Sequence, residues 1–228
     1  SRIGLVLNFR GWERLKLTSC DEANVVVCAS EGFAQRNQGS SVDQQIEAMH
    51  QVARDQAANG GPPLTLTISV AFGCPFDGET PLEQVVRIAR EAHAANIPEI
   101  ALGDTIGVAD PWVVRERVEA VREAAPATKL RLHFHDTRNT GLANAYAALE
   151  AGADVLDASC GGIGGCPFAP GATCNIATED LPYMLQRGGW ETGLDLDGLI
   201  ETGRWVSDLL GKPPASRLSR AGGFPKGL

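Results

Sequence analysis

The chain has 228 residues, of which 43% are hydrophobic and 21% are charged, a composition typical of a globular protein with one sizeable core. Its formal net charge is −8 and its isoelectric point is about 5.0, which argues against nucleic acid or an anionic membrane surface as a partner. The sequence contains no apolar stretch of about 18 residues and no signal peptide, so neither a membrane span nor secretion is predicted.

Six cysteines are present, but zinc-type Cys-x-x-Cys pairs are absent, and a large core needs no disulfides to hold it together. The sequence therefore predicts reduced thiols in the cytoplasm. The mitochondrial matrix is the alternative if a transit peptide precedes Ser1.

Apolar runs rich in valine, isoleucine and leucine alternate along the chain with segments of helical periodicity. Strands are predicted at residues 3–8, 24–30, 64–70, 99–104, 130–136 and 155–160. Helices are predicted at residues 43–59, 81–95, 111–125, 140–151 and 197–210. Helix starts are marked by Ser41 and by Asp110-Pro111, and Gly60 follows the end of the first helix. This alternation predicts a parallel sheet covered by helices.

Polar or reactive side chains stand at the carboxyl end of strand after strand. They are Asn8, Ser30, Glu31, Ser69, Asp104, His133, His135 and Cys160. A ring of this kind favours a (β/α)8 TIM barrel, whose chemistry gathers at that face, over an open doubly wound sheet, whose ligands gather at one switch point. We therefore predict an α/β protein with a TIM-barrel fold.

The predicted barrel is incomplete. Six strands are found where eight are required, so either two strands lie in segments interpreted as helices or the first two βα units are absent. Absence is preferred, because the chain opens directly on a strand and its C-terminal part is helical. The prediction is one partial barrel domain over residues 1–212, with about six βα units plus C-terminal helices, and a tail over residues 213–228.

The segment His133-Phe134-His135-Asp136 closes the fifth predicted strand. Alternate side chains of a strand point to the same side, so His133 and His135 are expected to face together while Phe134 faces away. Two imidazoles that converge from one strand provide half of a metal site. The alternative is a pair of ordinary strand histidines.

A glycine-rich loop, residues 161–165, follows the last predicted strand and leads to Cys166. Its glycines allow the backbone to approach a ligand closely and can bring the thiol to a substrate, to which it can pass a proton. The alternative is a plain surface turn. Asn175 comes nine residues after this cysteine, and Thr178 is predicted as the N-cap of the next helix.

Four motifs are specific enough to indicate a family. They are His133-Phe134-His135-Asp136-Thr137, Gly103-Asp104-Thr105-Ile106-Gly107, Gly73-Cys74-Pro75-Phe76 and residues 164–172, which read GGCPFAPGA. On these motifs, the chain from about residue 5 to residue 210 resembles the 3-hydroxy-3-methylglutaryl-CoA (HMG-CoA) lyase family of metal-dependent TIM-barrel enzymes. The His-x-His strand is shared with related synthases, whereas the Gly-Gly-Cys-Pro loop is more particular to the lyases.

The resemblance implies a set of site residues. His133, His135 and Asn175 would hold a divalent metal, Mg²⁺ or Mn²⁺, of which Mn²⁺ tolerates imidazole ligands better. Cys166 would be the general acid, and Asp104 would orient the substrate hydroxyl or support the metal shell. The supporting positions are Glu179, Asp136, Gly164 and Gly165.

The resemblance also implies a reaction. A base, either an aspartate or His133, removes the proton of the substrate's tertiary hydroxyl, and a C–C bond breaks in a retro-Claisen step. Cys166 then protonates the enolate carbon, so that HMG-CoA gives acetyl-CoA and acetoacetate, as in leucine degradation and ketone-body formation. The implied partners are an acyl-CoA substrate and, in a homo-oligomer, further copies of the chain.

Two departures from the family pattern change what is expected. The Arg-Asp pair of the family's first strand is absent, so one acidic metal ligand and one arginine are missing, and a loss of this kind costs about 10²–10³ in rate. The chain is therefore predicted to be a fragment of an active lyase. Cys174 stands where the family usually has glycine, and it either distorts the loop or offers a second thiol near Cys166.

Two rival functions remain open at this stage. One is a related lyase or synthase with another substrate, such as citramalyl-CoA, although the Gly-Gly-Cys-Pro loop favours a lyase. The other is an inactive barrel fragment that serves as a binding partner.

Overall fold

The computed structural model describes residues 1–165 and 174–225. Within these ranges, one parallel sheet contains β1 (Ile3–Val6), β2 (Glu22–Cys28), β3 (Leu64–Ser69), β4 (Glu99–Asp104), β5 (Lys129–Phe134) and β6 (Val155–Asp157). The helices are α1 (Phe9–Leu15), α2 (Glu31–Gln38), α3 (Val42–Asn59), α4 (Leu82–Ala94), α5 (Pro111–Ala124), α6 (Gly141–Glu150), α7 (Asp180–Arg187), α8 (Leu196–Leu210) and α9 (Arg217–Ala221). A short 3₁₀ turn, Cys160–Gly162, follows β6.

The order of the strands is that of a barrel wall. Each strand pairs in parallel with the next one along the chain, from β1 to β6, and helices connect them. A doubly wound sheet would instead reverse its strand order at a switch point. The prediction of an incomplete TIM barrel with six strands is confirmed, and β1 and β6 are the edge strands of the described sheet.

The core lies between the sheet and the helices. Two rows of paired, buried side chains cross the sheet: Leu66, Ile100 and Leu130 in one, and Ile68, Leu102 and Leu132 in the other. Ile100 and Leu130 lie against Val121 of α5 and against Ala125, which directly follows that helix. Fully burying one such side chain stabilises the fold by about 1.5–3 kcal/mol.

The residues that alternate with these rows form the inner face of the sheet, which is polar. Asn24 Nδ2 donates a hydrogen bond to Thr65 Oγ1 over 2.8 Å. Arg131 forms a largely buried ion pair with Glu99. The alternation that buries Leu132 of β5 thus turns Arg131, and the histidine that follows two positions later, toward the interior of the barrel.

Two helices, α1 and α2, were not predicted, and they change the interpretation of two strand-end residues. The side chain of Asn8 accepts a hydrogen bond from Gly11 N and caps α1, while Ser30 accepts from Phe33 N and caps α2. Capping residues and reactive residues look alike in a sequence, because both are small polar side chains that directly follow a strand. Asn8 and Ser30 therefore belong to helix starts.

The other predicted caps have mixed outcomes. Ser41 forms a complete capping box with Gln44, and Asp110 caps α5 with proline at its first position, so both predictions are confirmed. The prediction for Thr178 is wrong, because α7 begins at Asp180 and its N-cap residue is Glu179. The carboxylate of Glu179 does not cap this helix, since it is bonded elsewhere.

The segment predicted as a tail contains α9, which is bonded to α7. Asp180 accepts hydrogen bonds from Ser216 Oγ and from the backbone of Arg217 and Leu218. The domain boundary at residue 212 stays a prediction. Of the helices in the described ranges, none is long and apolar enough to cross a membrane.

Asp55 of α3 is hydrogen-bonded to α1 and to the residue that follows it. Its carboxylate accepts hydrogen bonds from Lys16 Nζ at 2.7 Å and from Trp12 Nε1 at 2.6 Å, and Asn59 donates a third. These bonds, first of all that of Lys16, lower the pKa of Asp55 from 3.8 to about 2. Folding therefore favours the ionised carboxylate.

Replacing Asp55 with asparagine is expected to flatten the loss of stability in acid. Because the folded-state pKa is lowered, Asp55 contributes stability that is fully present above pH 3.8 and is lost as the pH falls toward 2. Denaturant melts at closely spaced values between pH 5 and about pH 2 measure this. Parallel stability curves for the wild type and Asp55→Asn would contradict the assignment.

Candidate metal centre

The two histidines of β5 and its end lie together. The ring centroids of His133 and His135 are 5.2 Å apart and the ring planes meet at 78°. Phe134 between them is fully buried, and its ring centroid lies 5.9 Å from that of Phe72. The arrangement expected from strand alternation is therefore present.

Asn175 is brought to the histidines by a second chain segment. It forms an isolated antiparallel bridge with His135, and Asp136 N donates a hydrogen bond to Cys174 O at 2.8 Å. The Asn175 side chain is held by its Nδ2, which donates to Ile163 O at 3.0 Å. Its Oδ1 is buried and has no hydrogen-bond partner. The amide is therefore held so that its Oδ1 remains available to accept a further partner.

The two imidazoles differ electrostatically. Burial, and then the nearby charge of His133, lower the pKa of His135 to about 4, so this ring is neutral at pH 7. Burial also lowers the pKa of His133, but the hydrogen bond and charge of Asp157, together with the charge of Asp104, outweigh it and raise this pKa above its usual value. Metal ligation requires a neutral imidazole, which His135 already is.

These side chains fit a divalent cation. His135 Nδ1 and Asn175 Oδ1 are buried polar atoms without partners, and such atoms are costly to leave unsatisfied. Two imidazoles and an amide oxygen suit Mn²⁺ or Mg²⁺ with further oxygen ligands. In the part of the chain that the structure describes, no three His, Cys, Asp or Glu side chains form a metal-binding group. The candidate set is thus His133, His135 and Asn175, without a carboxylate.

Asp104 holds the turn that follows β4. Its Oδ1 accepts from Val108 N at 2.9 Å and its Oδ2 from Ala109 N at 3.1 Å. The residue is fully buried, and burial raises the pKa of its carboxyl group. Asp104 lies close enough to His133 to influence its charge, but both of its oxygens are already bonded to backbone. Its contact with a substrate hydroxyl stays a prediction.

Glu179 anchors the 3₁₀ turn at the base of the glycine-rich loop. The carboxylate is fully buried, and both of its oxygens lie 3.0 Å from Gly161 N. Ser219 Oγ of α9 donates to Glu179 Oε1 at 3.1 Å. Asp136, the other acidic supporting position, accepts from Gly141 N at 2.9 Å and fixes the start of α6. Both carboxylates therefore position backbone around the candidate site.

The glycine-rich loop approaches the candidate ligands at Gly164. This residue has a φ of +135°, and a Cβ placed on it would lie 2.3 Å from Asn175 Nδ2. Only glycine fits this combination of backbone conformation and contact. Gly165 ends the first described range, and Cys166 lies outside the described residues.

Replacing Gly164 with alanine is expected to weaken Mn²⁺ binding about 10–100-fold, because the new methyl group displaces the Asn175 amide. Isothermal titration calorimetry with MnCl₂ measures the change. Gly189→Ala is the matched control, since Gly189 also has a positive φ of +85° but a Cβ there meets no atom within 4 Å. Equal losses in the two variants would mean that backbone strain alone is responsible.

Asp157 is a site residue that the sequence does not reveal. Its Oδ1 lies 2.5 Å from His133 Nδ1, and it is the Cα partner of His133 in the parallel register of β5 and β6. Asp157 lies within a predicted strand, but its contact with His133 can be identified only when the register of β5 and β6 is known.

The chain resembles known proteins over most of its length. Residues 10–206 match the family model described as HMGL-like. The chain is 42% identical over 216 residues to hydroxymethylglutaryl-CoA lyase YngG of Bacillus subtilis, covering 93% of this chain and 71% of that protein. It is 39% identical to the 3-hydroxy-3-isohexenylglutaryl-CoA/hydroxymethylglutaryl-CoA lyase of Pseudomonas aeruginosa, covering 95% and 72%. A solved HMG-CoA lyase of Acinetobacter baumannii, in complex with coenzyme A and 3-methylmalate, superposes with a TM-score of 0.92 at 36% identity, covering 99% and 73%.

Proposed function

The chain belongs to the HMGL-like family, and on that premise we propose that it is a divalent-metal-dependent carbon–carbon lyase that cleaves HMG-CoA into acetyl-CoA and acetoacetate. The observation that carries the proposal is the convergence of His133, His135 and the unsatisfied Asn175 Oδ1 beside the glycine-rich loop that leads to Cys166.

The metal of this proposal is Mg²⁺ or Mn²⁺, held by His133, His135 and Asn175. When bound, such an ion acts as a Lewis acid that lowers the pKa of a coordinated alcohol. Mn²⁺ is the better match for a set with two imidazoles, whereas Mg²⁺ prefers oxygen ligands.

The role of His133 as a metal ligand bears on the choice of base in this proposal. His133 Nδ1 is engaged by Asp157, so Nε2 is the one ring nitrogen with a lone pair to offer. A nitrogen that ligates a cation cannot accept a proton at the same time. With His133 as a ligand, the substrate hydroxyl proton therefore goes to an aspartate, the other candidate base.

Cys166 is assigned the second proton transfer. Loss of the hydroxyl proton forms the ketone of acetoacetate as the C–C bond breaks, and the electron pair of that bond remains on the enolate of acetyl-CoA. The Cys166 S–H gives its proton to the enolate carbon, and the thiolate regains a proton from solvent. Gly161 and Gly162, with φ values of +69° and +64°, form a tight turn in the loop that precedes Cys166 in the sequence.

The proposed partner is an acyl-CoA thioester. It is supported by the solved relative that contains coenzyme A and by the two relatives whose names specify glutaryl-CoA substrates. The Pseudomonas aeruginosa relative is named for a substrate with a longer side chain, which makes such thioesters second candidates. Assembly into a homo-oligomer stays a prediction.

The experiment is product analysis with HMG-CoA, isohexenylglutaryl-CoA and citramalyl-CoA, each with Mn²⁺, with Mg²⁺ and with EDTA. Metal-dependent release of acetoacetate and acetyl-CoA from HMG-CoA is the expected result. Preferential cleavage of another thioester would replace the substrate but keep the reaction class. Mn²⁺ binding without cleavage of any thioester would favour the binding-partner alternative and overturn the lyase proposal.

A further inference from the structure

His133 has a carboxylate partner that neither the motif nor the family comparison identifies. The Oδ1 of Asp157 lies 2.5 Å from His133 Nδ1, and both side chains are about one-third exposed, at 39% and 32% respectively. We propose that Asp157 is a positioning residue that fixes which nitrogen of His133 is presented to the metal. The proposal rests on the proposed function in one respect, namely that His133 is a metal ligand.

The contact is set by the sheet. In the parallel pairing of β5 with β6, Arg131 is aligned with Val155, Leu132 with Leu156, and His133 with Asp157. Aligned residues of neighbouring strands project to the same face, so the register alone brings the imidazole and the carboxylate together. The partner of His133 is thus held on a strand, which is more precise than placement on a loop.

The chemistry of the pair selects one tautomer. An ionised carboxylate only accepts hydrogen bonds, so His133 Nδ1 must carry the proton of the shared bond. The lone pair of the neutral ring is then on Nε2. An imidazole without such a partner distributes its proton over both nitrogens, and a ligand in the wrong tautomer must rearrange before it binds a cation.

His135 shows that this arrangement is particular to one of the two rings. Its Nδ1 is buried and has no hydrogen-bond partner. Asp104, the other acid near His133, has both oxygens bonded to the backbone of Val108 and Ala109. Among the residues that the structure describes, Asp157 is thus the acidic side chain bonded to a candidate ligand.

The test uses Asp157→Asn, which keeps the shape of the side chain, and Asp157→Ala, which removes the acceptor. Long-range ¹H–¹⁵N NMR on the metal-free protein, at a pH where both rings are neutral, reports the tautomer of His133. The wild type is expected to show the Nδ1–H form, and both variants a substantial Nε2–H population. Their Mn²⁺ affinity is expected to fall about 10–100-fold.

Asp154→Asn is the matched control. Asp154 stands just before β6, accepts from Leu130 N and pairs with Arg122. This variant is expected to lose thermal stability while the His133 tautomer and the Mn²⁺ affinity stay as in the wild type. If Asp157→Ala does not fold, the near-isosteric Asp157→Asn still gives the result.

The possible failures are distinguishable. If wild-type protein binds no Mn²⁺, the metal function proposed above fails, and with it the metal-directed role of Asp157. If the wild type binds Mn²⁺ and both variants keep the Nδ1–H tautomer with affinities within about twofold, the role of Asp157 is overturned while the lyase proposal stands.

Discussion

Replacing His135 with alanine is expected to lower the affinity for Mn²⁺ by more than about 100-fold, beyond the 10–100-fold typical of losing a residue that only supports a ligand. The residue is only 5% exposed, so removing its side chain would leave a gap that solvent does not readily reach. Its ring is neutral at pH 7, because burial and the neighbouring His133 lower its pKa to about 4. The cation thus displaces no proton from this ring, and the variant loses a ligand that is ready to bind.

Calorimetric titration with Mn²⁺ measures this loss, and product release from HMG-CoA should decline with it. His93→Ala is the control, since His93 is an exposed histidine of α4 whose Nδ1 lies 3.2 Å from Thr128 Oγ1. Retention of wild-type Mn²⁺ affinity in His135→Ala would rule out the metal centre described above.

Replacing Gly203 with alanine is expected to destabilise the fold by about 3 kcal/mol. Alanine in the interior of a helix normally adds up to about 1 kcal/mol of stability relative to glycine. Here a Cβ would lie 1.6 Å from Glu179 Oε1 and 2.8 Å from Ser219 Oγ, and both of these residues are buried. Displacing this carboxylate leaves Gly161 N and Ser219 Oγ unpaired, at about 1–3 kcal/mol each. The clash therefore outweighs the helix propensity.

Urea denaturation of Gly203→Ala gives the change in the free energy of unfolding. Thr202→Ala, at the adjacent exposed position of α8, is expected to stay within about 0.5 kcal/mol of the wild type. Stabilisation of Gly203→Ala by the amount that helix propensity predicts would mean that Glu179 does not occupy the position described. Because Glu179 holds the turn at Gly161, we also expect lower lyase activity in this variant.

The helices whose starts were predicted correctly carry strong local signals. The long helices α3 and α5 carry both amphipathic periodicity and a capping residue, Ser41 and Asp110, and their predicted starts agree with the structure. The short helices α1 and α2 have 7 and 8 residues, too few for periodicity to stand out. In the sequence, their caps Asn8 and Ser30 therefore look like reactive strand ends.

The candidate site was predictable to the extent that it depends on neighbours in sequence. The common orientation of His133 and His135 follows from strand alternation alone, and their rings do lie together. The roles assigned to Asn175 and Cys166 came from the resemblance to a family, and they remain proposals. Asp104 shows the limit of such reasoning, because its sequence context does not reveal that two backbone amides already occupy its carboxylate.

The alternation of strands with helices and the common direction of the two histidines are local properties of the chain, and the prediction of a parallel sheet follows from that alternation. Each depends on the two-residue period of a strand or the 3.6-residue period of a helix, so each can be derived from the sequence. The partner of His133 and the partners of Glu179 are different in kind. Asp157 lies 24 residues from His133 in the sequence, and Gly161 and Ser219 lie 18 and 40 residues from Glu179. Such pairs depend on strand register and helix packing, which form only when the whole chain is folded.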